Sequence, residues 1–217
     1  MPSTVSAHDD FYRPFVVATN KLRCSINSEM IFQVAKVHNV PVYECLASSS
    51  SRSKKIVDHL ANATDDLTDR VPMKLLIYIG MPVMATRKHP LLLDADITNG
   101  VIGRIVGMHP PPSKLLTVPY SVDEISVHRL VRRPELLPLK ISGCHTNRIT
   151  GFGEGVIGLP LLNACVKLNK IPNLAQASVT VDQFAIVPAF GCTTEKLQGQ
   201  TCHPSNVERG RPNKHFT

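Results

Sequence analysis

The 217 residues contain no tryptophan, and aromatics make up only 5% of the chain. A surface that grips single strands by stacking bases on rings is therefore not expected, and backbone and phosphate contacts would have to dominate any nucleic-acid binding. There is no CxxC pair. The six cysteines (Cys24, Cys45, Cys144, Cys165, Cys192, Cys202) are scattered among mostly apolar neighbours, as in Ala164-Cys165-Val166. They read as reduced, largely buried thiols of an intracellular protein. Cys144-His145 and Cys202-His203 offer metal-ligand residue types without finger-like spacing, so no metal site is expected. The longest apolar run, residues 75–85, reaches only about half a membrane span and holds Gly80 and Pro82. Residues 1–10 carry acidic side chains and no apolar core, so no secretory signal is read there.

What is present is ordinary for a globular protein: 43% hydrophobic, 19% charged, mean hydropathy of zero. The length suffices for one full core or two small lobes. The formal net charge of +7 permits an anionic partner without requiring one.

Along the chain, residues 15–19 form a β-branched run after Pro14 and read as a buried strand. Asn20 is expected to cap a helix whose Leu22, Ile26, Met30 and Val34 recur at i+4 as one apolar stripe. A second strand follows at 40–46, giving the strand–helix–strand pattern of a parallel βαβ unit. Residues 48–53 are a serine run before Lys54 and Lys55, read as a flexible linker or exposed loop. A short helix is expected at 56–62, followed by a solvated acidic turn at Asp65, Asp66 and Asp69. From Lys74 the texture turns to short strands (75–79, 83–86, 101–108, 115–118) divided by Gly80, Asn99-Gly100 and three prolines, which predicts a small antiparallel barrel or sandwich. Asn99-Gly100 is the strongest turn signal, because both residues tolerate positive φ. Buried-strand texture returns at 179–181 and 184–190. The expected fold is α/β at both ends with an all-β insert between. Boundaries fall at 1–70, 71–182 and 183–202, and a polar tail, 203–217, is expected to be disordered.

The last apolar run feeds Phe190-Gly191-Cys192-Thr193-Thr194-Glu195-Lys196-Leu197-Gln198-Gly199-Gln200-Thr201. A strand that delivers hydroxyls, an amine and a glycine to one edge suits a phosphate, although Gln-Gly also makes a plain helix-ending turn. Two further stretches stand beside it: Pro14-Phe15-Val16-Val17-Ala18-Thr19-Asn20 with Ile26-Asn27, and Gly80-Met81-Pro82-Val83-Met84-Ala85-Thr86-Arg87 with Thr98-Asn99-Gly100-Val101-Ile102-Gly103. Together, and in this order, the three resemble motifs of the petite-integration-frequency (PIF-type) DNA helicases of superfamily 1, including relatives carried by Helitron transposons. The resemblance runs from Phe11 to Thr201. It implies a partial RecA-like second motor lobe interrupted by an SH3-like barrel insertion. Such lobes belong to motors that translocate 5′ to 3′ along single-stranded DNA by hydrolysing ATP with Mg²⁺. It also implies candidate DNA and coupling contacts at Thr19, Asn20, Thr193, Lys196, Gln198, Gly199 and Thr201, and structural roles in the insertion for Arg87, Asn99 and Gly100.

The chain has no G-x-x-x-x-G-K-[ST] loop; Gly151-Phe152-Gly153-Glu154-Gly155 lacks the Lys-Ser/Thr that would complete one. Asp123-Glu124 does not follow a buried strand as a magnesium-holding pair would. No ATP or Mg²⁺ site is thus expected in this chain alone; both would belong to a missing N-terminal motor lobe. The family's closing arginine motif is likewise not matched by Arg209 or Arg211. Glu195 and Leu197 depart from the motif, one adding negative charge and the other removing a hydroxyl. The expectation is part of a helicase acting inside the cell (in the nucleus, if eukaryotic). The alternatives are a non-catalytic nucleic-acid or protein binding module, or a decayed transposon-derived fragment.

Overall fold

The computed structural model describes residues 14–61, 63, 67–68, 70–90, 97–141, 152–168 and 178–193. The elements run β1 (Phe15–Val17), α1 (Asn20–His38), β2 (Val42–Leu46), β3 (Ser48–Ser49), α2 (Lys54–Ala61), β4 (Lys74–Ile77), β5 (Pro82–Ala85) and β6 (Ile102–Ile105). After a 3₁₀ turn at Pro112–Lys114 come β7 (Thr117–Val122), β8 (Ile125–Leu130), β9 (Leu136–Ile141), β10 (Val156–Pro160), β11 (Leu162–Lys167), β12 (Ser178–Gln183), β13 (Ile186–Pro188) and β14 (Gly191–Thr193). The chain is mostly sheet, with two α-helices among the described residues.

The strands form four open sheets: β1-β14, β10-β9-β6-β5-β13, β11-β12-β3 and β4-β2-β8-β7. None closes into a barrel among the described residues, so the SH3-like closure is not seen. The expected parallel βαβ unit is also not formed. β1 pairs in parallel with β14, whereas β2 joins another sheet between antiparallel β4 and parallel β8. The reason is that both edges of β2 are taken by strands from the middle of the chain, leaving β1 to find its partner near the end. Hydrogen-bonded pairs therefore cross from residues 1–70 into 71–182: β2 with β4 and β8, and β3 with β12.

Helix α1 begins one residue earlier than its sequence suggests. Thr19, not Asn20, is the cap: its backbone is extended and its Oγ1 accepts from the Leu22 N–H at 3.3 Å. The helix stops at Asn39, whose left-handed φ of 49° turns its N–H onto the carbonyls of Ala35 and Lys36. The buried stripe is also rotated by one residue. It consists of Arg23, Asn27, Ile31 and Ala35, while Leu22 stays exposed. The i+4 spacing was legible but the phase was not, because a polar residue, Asn27, is required on the inner face.

The serine run is exposed at residues 48, 50, 52 and 53, yet it is hydrogen-bonded and not a flexible linker. Ser48 and Ser49 pair with Asp182 and Val181, and Ser50 exchanges bonds with Thr180 through its N–H and Oγ. Ser51 and Ser49 hydroxyls accept from the N–H groups of Ser53 and Ser51. The chain then enters α2, which buries Ile56 and Leu60. Arg133 secures this corner by donating to the Asp182 carbonyl and to Ser48 Oγ.

Alternation also corrects one cysteine. On β11 the buried positions are Leu162, Ala164 and Val166, so Cys165 faces out despite its apolar neighbours. Cys45 is fully buried, and burial pushes its thiol up to about 12, which leaves it unreactive at neutral pH. Cys144 and Cys202, with their histidines, lie outside the described residues, as do Asp65, Asp66, Asp69 and the tail. No group of three or more metal-ligating side chains converges among the described residues. No described helix is long and apolar enough to cross a membrane.

The Asn99-Gly100 turn forms between Thr98 and Val101, closed by the Val101 N–H on the Thr98 carbonyl at 3.2 Å. Only Gly100 takes the left-handed φ, at +97°, the pattern of a type II turn. Gly100→Ala is expected to cost about 1–2 kcal/mol, since a Cβ is disfavoured at that φ. Gly153→Ala, where a Cβ meets nothing within 4 Å and no positive φ is imposed, is the matched control in a urea titration.

Candidate phosphate-contact edge

The last apolar run does not make one strand. Residues 184–190 are buried except for the half-buried Pro188, but they divide between β13, which pairs with β5, and the bend that leads into β14 beside β1. β1 and β14 run parallel in the register Phe15↔Gly191, Val16↔Cys192 and Val17↔Thr193. The Phe15 N–H donates to the Phe190 carbonyl at 2.7 Å and starts the pairing. Two strands that run the same way carry their following residues to one edge. Thr19 and Asn20, two and three residues past Val17, thus come to the end of the sheet where Thr193 sits. The first turn of α1, with its positive dipole end, opens at the same place, its Leu22 N–H already capped by Thr19.

Asn27 holds this arrangement together. Its Oδ1 accepts from the Gly191 N–H at 2.6 Å, and its Nδ2 donates to the Pro188 carbonyl at 2.7 Å and to the Gly191 carbonyl at 3.4 Å. One buried side chain therefore satisfies backbone groups at the bend where β13 hands over to β14. The helix packs closely on the strand here: a Cβ at Gly191 would just touch Ile26 Cγ2 at 3.4 Å and the Arg23 carbonyl at 3.6 Å, ordinary contact distances. Arg23, also buried, projects from the same helix face. Asn27 belongs to one of the motif segments seen in the sequence but is given no site role there, and Arg23 is not singled out at all. The signal available was an Asn and an Arg four residues apart on one helical face, which period counting of apolar residues passes over.

Of the residues singled out in the sequence, Thr19 and Asn20 are exposed and Thr193 is buried on β14. Lys196, Gln198, Gly199 and Thr201, with Glu195 and Leu197, lie outside the described residues. Arg87, Asn99 and Gly100 sit elsewhere, at the connection from β5 to β6. β5 is antiparallel to β13 with Ala85 opposite Ile186 and Val83 opposite Pro188. Arg87 therefore lies at the start of β13, the end away from Gly191 and Thr193. Near the other end of β5, Arg104 donates to the Gly80 carbonyl at 2.6 Å, and Gly80 takes a φ of +100°.

No protein-family model and no curated protein matches the sequence. Among solved structures, the chain is similar to the Pif1 helicase from Candida albicans, at 14% identity and a TM-score of 0.49, over 88% of this chain and 38% of that one. It is similar to Bacteroides Pif1 bound to ssDNA at 11% identity and a TM-score of 0.48, over 92% and 34%. It is also similar to unliganded Pif1 from Bacteroides sp at 10% identity and a TM-score of 0.43, over 86% and 43%. The chain thus spans between 34% and 43% of the length of these structures, and the likeness is to a part of a helicase.

Proposed function

We propose that this chain is the second motor lobe, with its β-rich insertion, of a Pif-type DNA helicase. Its contact with single-stranded DNA would be made to the phosphate backbone at the edge shared by β1, α1 and β14. The observation that supports the reading is the parallel pairing of β1 with β14. It brings together two motif segments separated by more than 170 positions in the sequence, at the end of the strands where α/β proteins take their ligands. Thr19 and Asn20 supply short polar side chains, the helix start favours an anion, and Lys196 supplies charge from the adjoining segment. Scarce aromatics agree with backbone contact instead of base stacking. With no phosphate-binding loop in its 217 residues, the chain depends on a separate lobe for ATP and Mg²⁺.

Anisotropy of a labelled single-stranded oligonucleotide at low salt tests this. Binding is expected to be independent of base sequence and to weaken steeply with salt. Lys196→Ala should lower affinity about 3–10-fold and reduce the salt slope by about one. Unchanged affinity in that variant removes the segment from the DNA contact. ATP turnover by the chain alone should equal the buffer rate, with or without DNA; clear turnover overturns the assignment of nucleotide chemistry to another lobe.

A further inference from the structure

The sheet β4-β2-β8-β7 has one face divided into two halves. Strand register places Val42, Val127 and Tyr120 in one row across three strands and Leu76, Glu44, Arg129 and Val118 in the next. Past these rows Leu46 pairs with Lys74 at the end of β2, and the Val131 N–H donates to the Leu116 carbonyl at 3.0 Å just beyond β7 and β8. The first row is covered. α1 packs on β2 and β8, and Ile31, Ala35, Val42, Ile125 and Val127 share one core. The second row and the residues past it are only partly covered: Glu44 is buried and Leu76 half-buried against the core, while the rest opens outward. Leu46, Val118, Val131 and Leu116 are 42–69% exposed, an unusual amount for four neighbouring aliphatic side chains on one sheet face.

The charges on this open half are one-sided. Lys74 and Arg129 each keep about half of their side-chain surface exposed, whereas the carboxylate that pairs with both, Glu44, is 1% exposed beneath them. An approaching surface therefore meets aliphatic groups flanked by cations. A second copy of this chain is a poor fit, because two such faces would oppose Lys74 and Arg129 to each other with the carboxylates out of reach. In a layered fold the natural cover for a sheet is a helix, and α1 already provides one over the adjoining row. We propose that the open half of this face docks a helix from a partner protein, one that carries an aliphatic stripe flanked by carboxylates. The helix would extend the layer that α1 begins.

The probes are two fluorescein-labelled designed helical peptides with the same leucine stripe, one flanked by glutamates and the other by lysines, titrated by anisotropy. The glutamate peptide is expected to bind, and the lysine peptide to bind at least about tenfold more weakly. The double substitution Leu116→Ser with Val131→Ser removes exposed groups and should keep the urea midpoint while weakening the glutamate peptide by about tenfold or more. Arg132→Glu, an exposed reversal beside Val131, should weaken it several-fold. Equal binding of the two peptides overturns the proposal, as does binding indifferent to the double substitution. Displacement by a single-stranded oligonucleotide assigns the face to nucleic acid and also overturns it. So does concentration-dependent self-association that the double substitution abolishes, which assigns the face to a second copy.

Discussion

Asn27→Ala is expected to destabilise the fold by about 2–4 kcal/mol, read as a lower urea midpoint at unchanged slope. The substitution removes the partner of the buried Gly191 N–H and the donor to the half-buried Pro188 carbonyl, at a site where Asn27 is 4% exposed. A buried backbone group left unpaired costs about 1–3 kcal/mol, and the half-buried Pro188 carbonyl adds part of a second such cost. Asn27→Asp separates the two halves of the amide. A carboxylate still accepts from Gly191, but it faces the Pro188 carbonyl with a negative charge where a donor is required. That variant should be markedly destabilised at neutral pH and should recover partly as pH falls, since only the protonated acid can donate. The measurement therefore carries its own control. A loss below about 0.5 kcal/mol for alanine would place the amide among ordinary surface residues and deny it the role of joining α1 to β14. If the phosphate-contact edge depends on this joint, Asn27→Ala should also weaken oligonucleotide binding at temperatures where the variant remains folded.

How much of this was legible in the sequence depends on the kind of signal. Short β-branched runs between turn residues became strands nearly where expected: 75–79 appears as β4, 83–86 as β5 and 179–181 within β12. The 56–62 helix appears as α2, two residues early. Local chemistry suffices for such elements, because strand period and turn residues are short-range properties. Pairing was not legible. Nothing in residues 15–17 says that their partner is 191–193 and not 42–46, since both candidates are short, apolar and compatible with a parallel neighbour. The phase of α1 was missed for a related reason: the inner face is chosen by the backbone that needs Asn27, which lies more than 160 residues away. The serine run is exposed, but composition alone does not show that it is held in place. Serine favours loops on average, but here its hydroxyls complete a hydrogen-bonded corner with Asp182 and Arg133. For the candidate edge, the motifs include Thr19, Asn20, Asn27 and Thr193, and the fold shows that Asn27 is the group that holds their strands together.

The strongest electrostatic prediction concerns Glu44. Its side chain is 1% exposed, held by Arg129 Nε at 2.5 Å and Lys74 Nζ at 3.1 Å, and Arg129 lies 5.5 Å from the centre of the Tyr120 ring. Burial pushes the carboxyl up, but the hydrogen bond from Arg129, then that from Lys74, and the charges of both outweigh it, so the group titrates below its ordinary range. A carboxyl whose folded value lies below its unfolded value contributes stability above the unfolded value, and loses that contribution as pH falls through the folded one. Arg129→Met keeps much of the aliphatic stem and removes the guanidinium, leaving a buried carboxylate with Lys74 alone. The expected loss at pH 7 is about 1.5–3 kcal/mol, the range for a hydrogen bond to a charged group, and not more, because Arg129 itself is half exposed to solvent. In the variant the upward push of burial is opposed by one cation instead of two, so Glu44 accepts a proton at a higher pH and part of the loss is relieved on acidification. The stability gap between wild type and Arg129→Met should therefore be widest near neutrality and close as pH falls through the carboxylate range. Urea unfolding of both proteins at pH 7 and at about pH 3 measures it. A gap of the same size at both values would mean that Arg129 acts through packing on Tyr120, and that the ion pair contributes nothing to the fold.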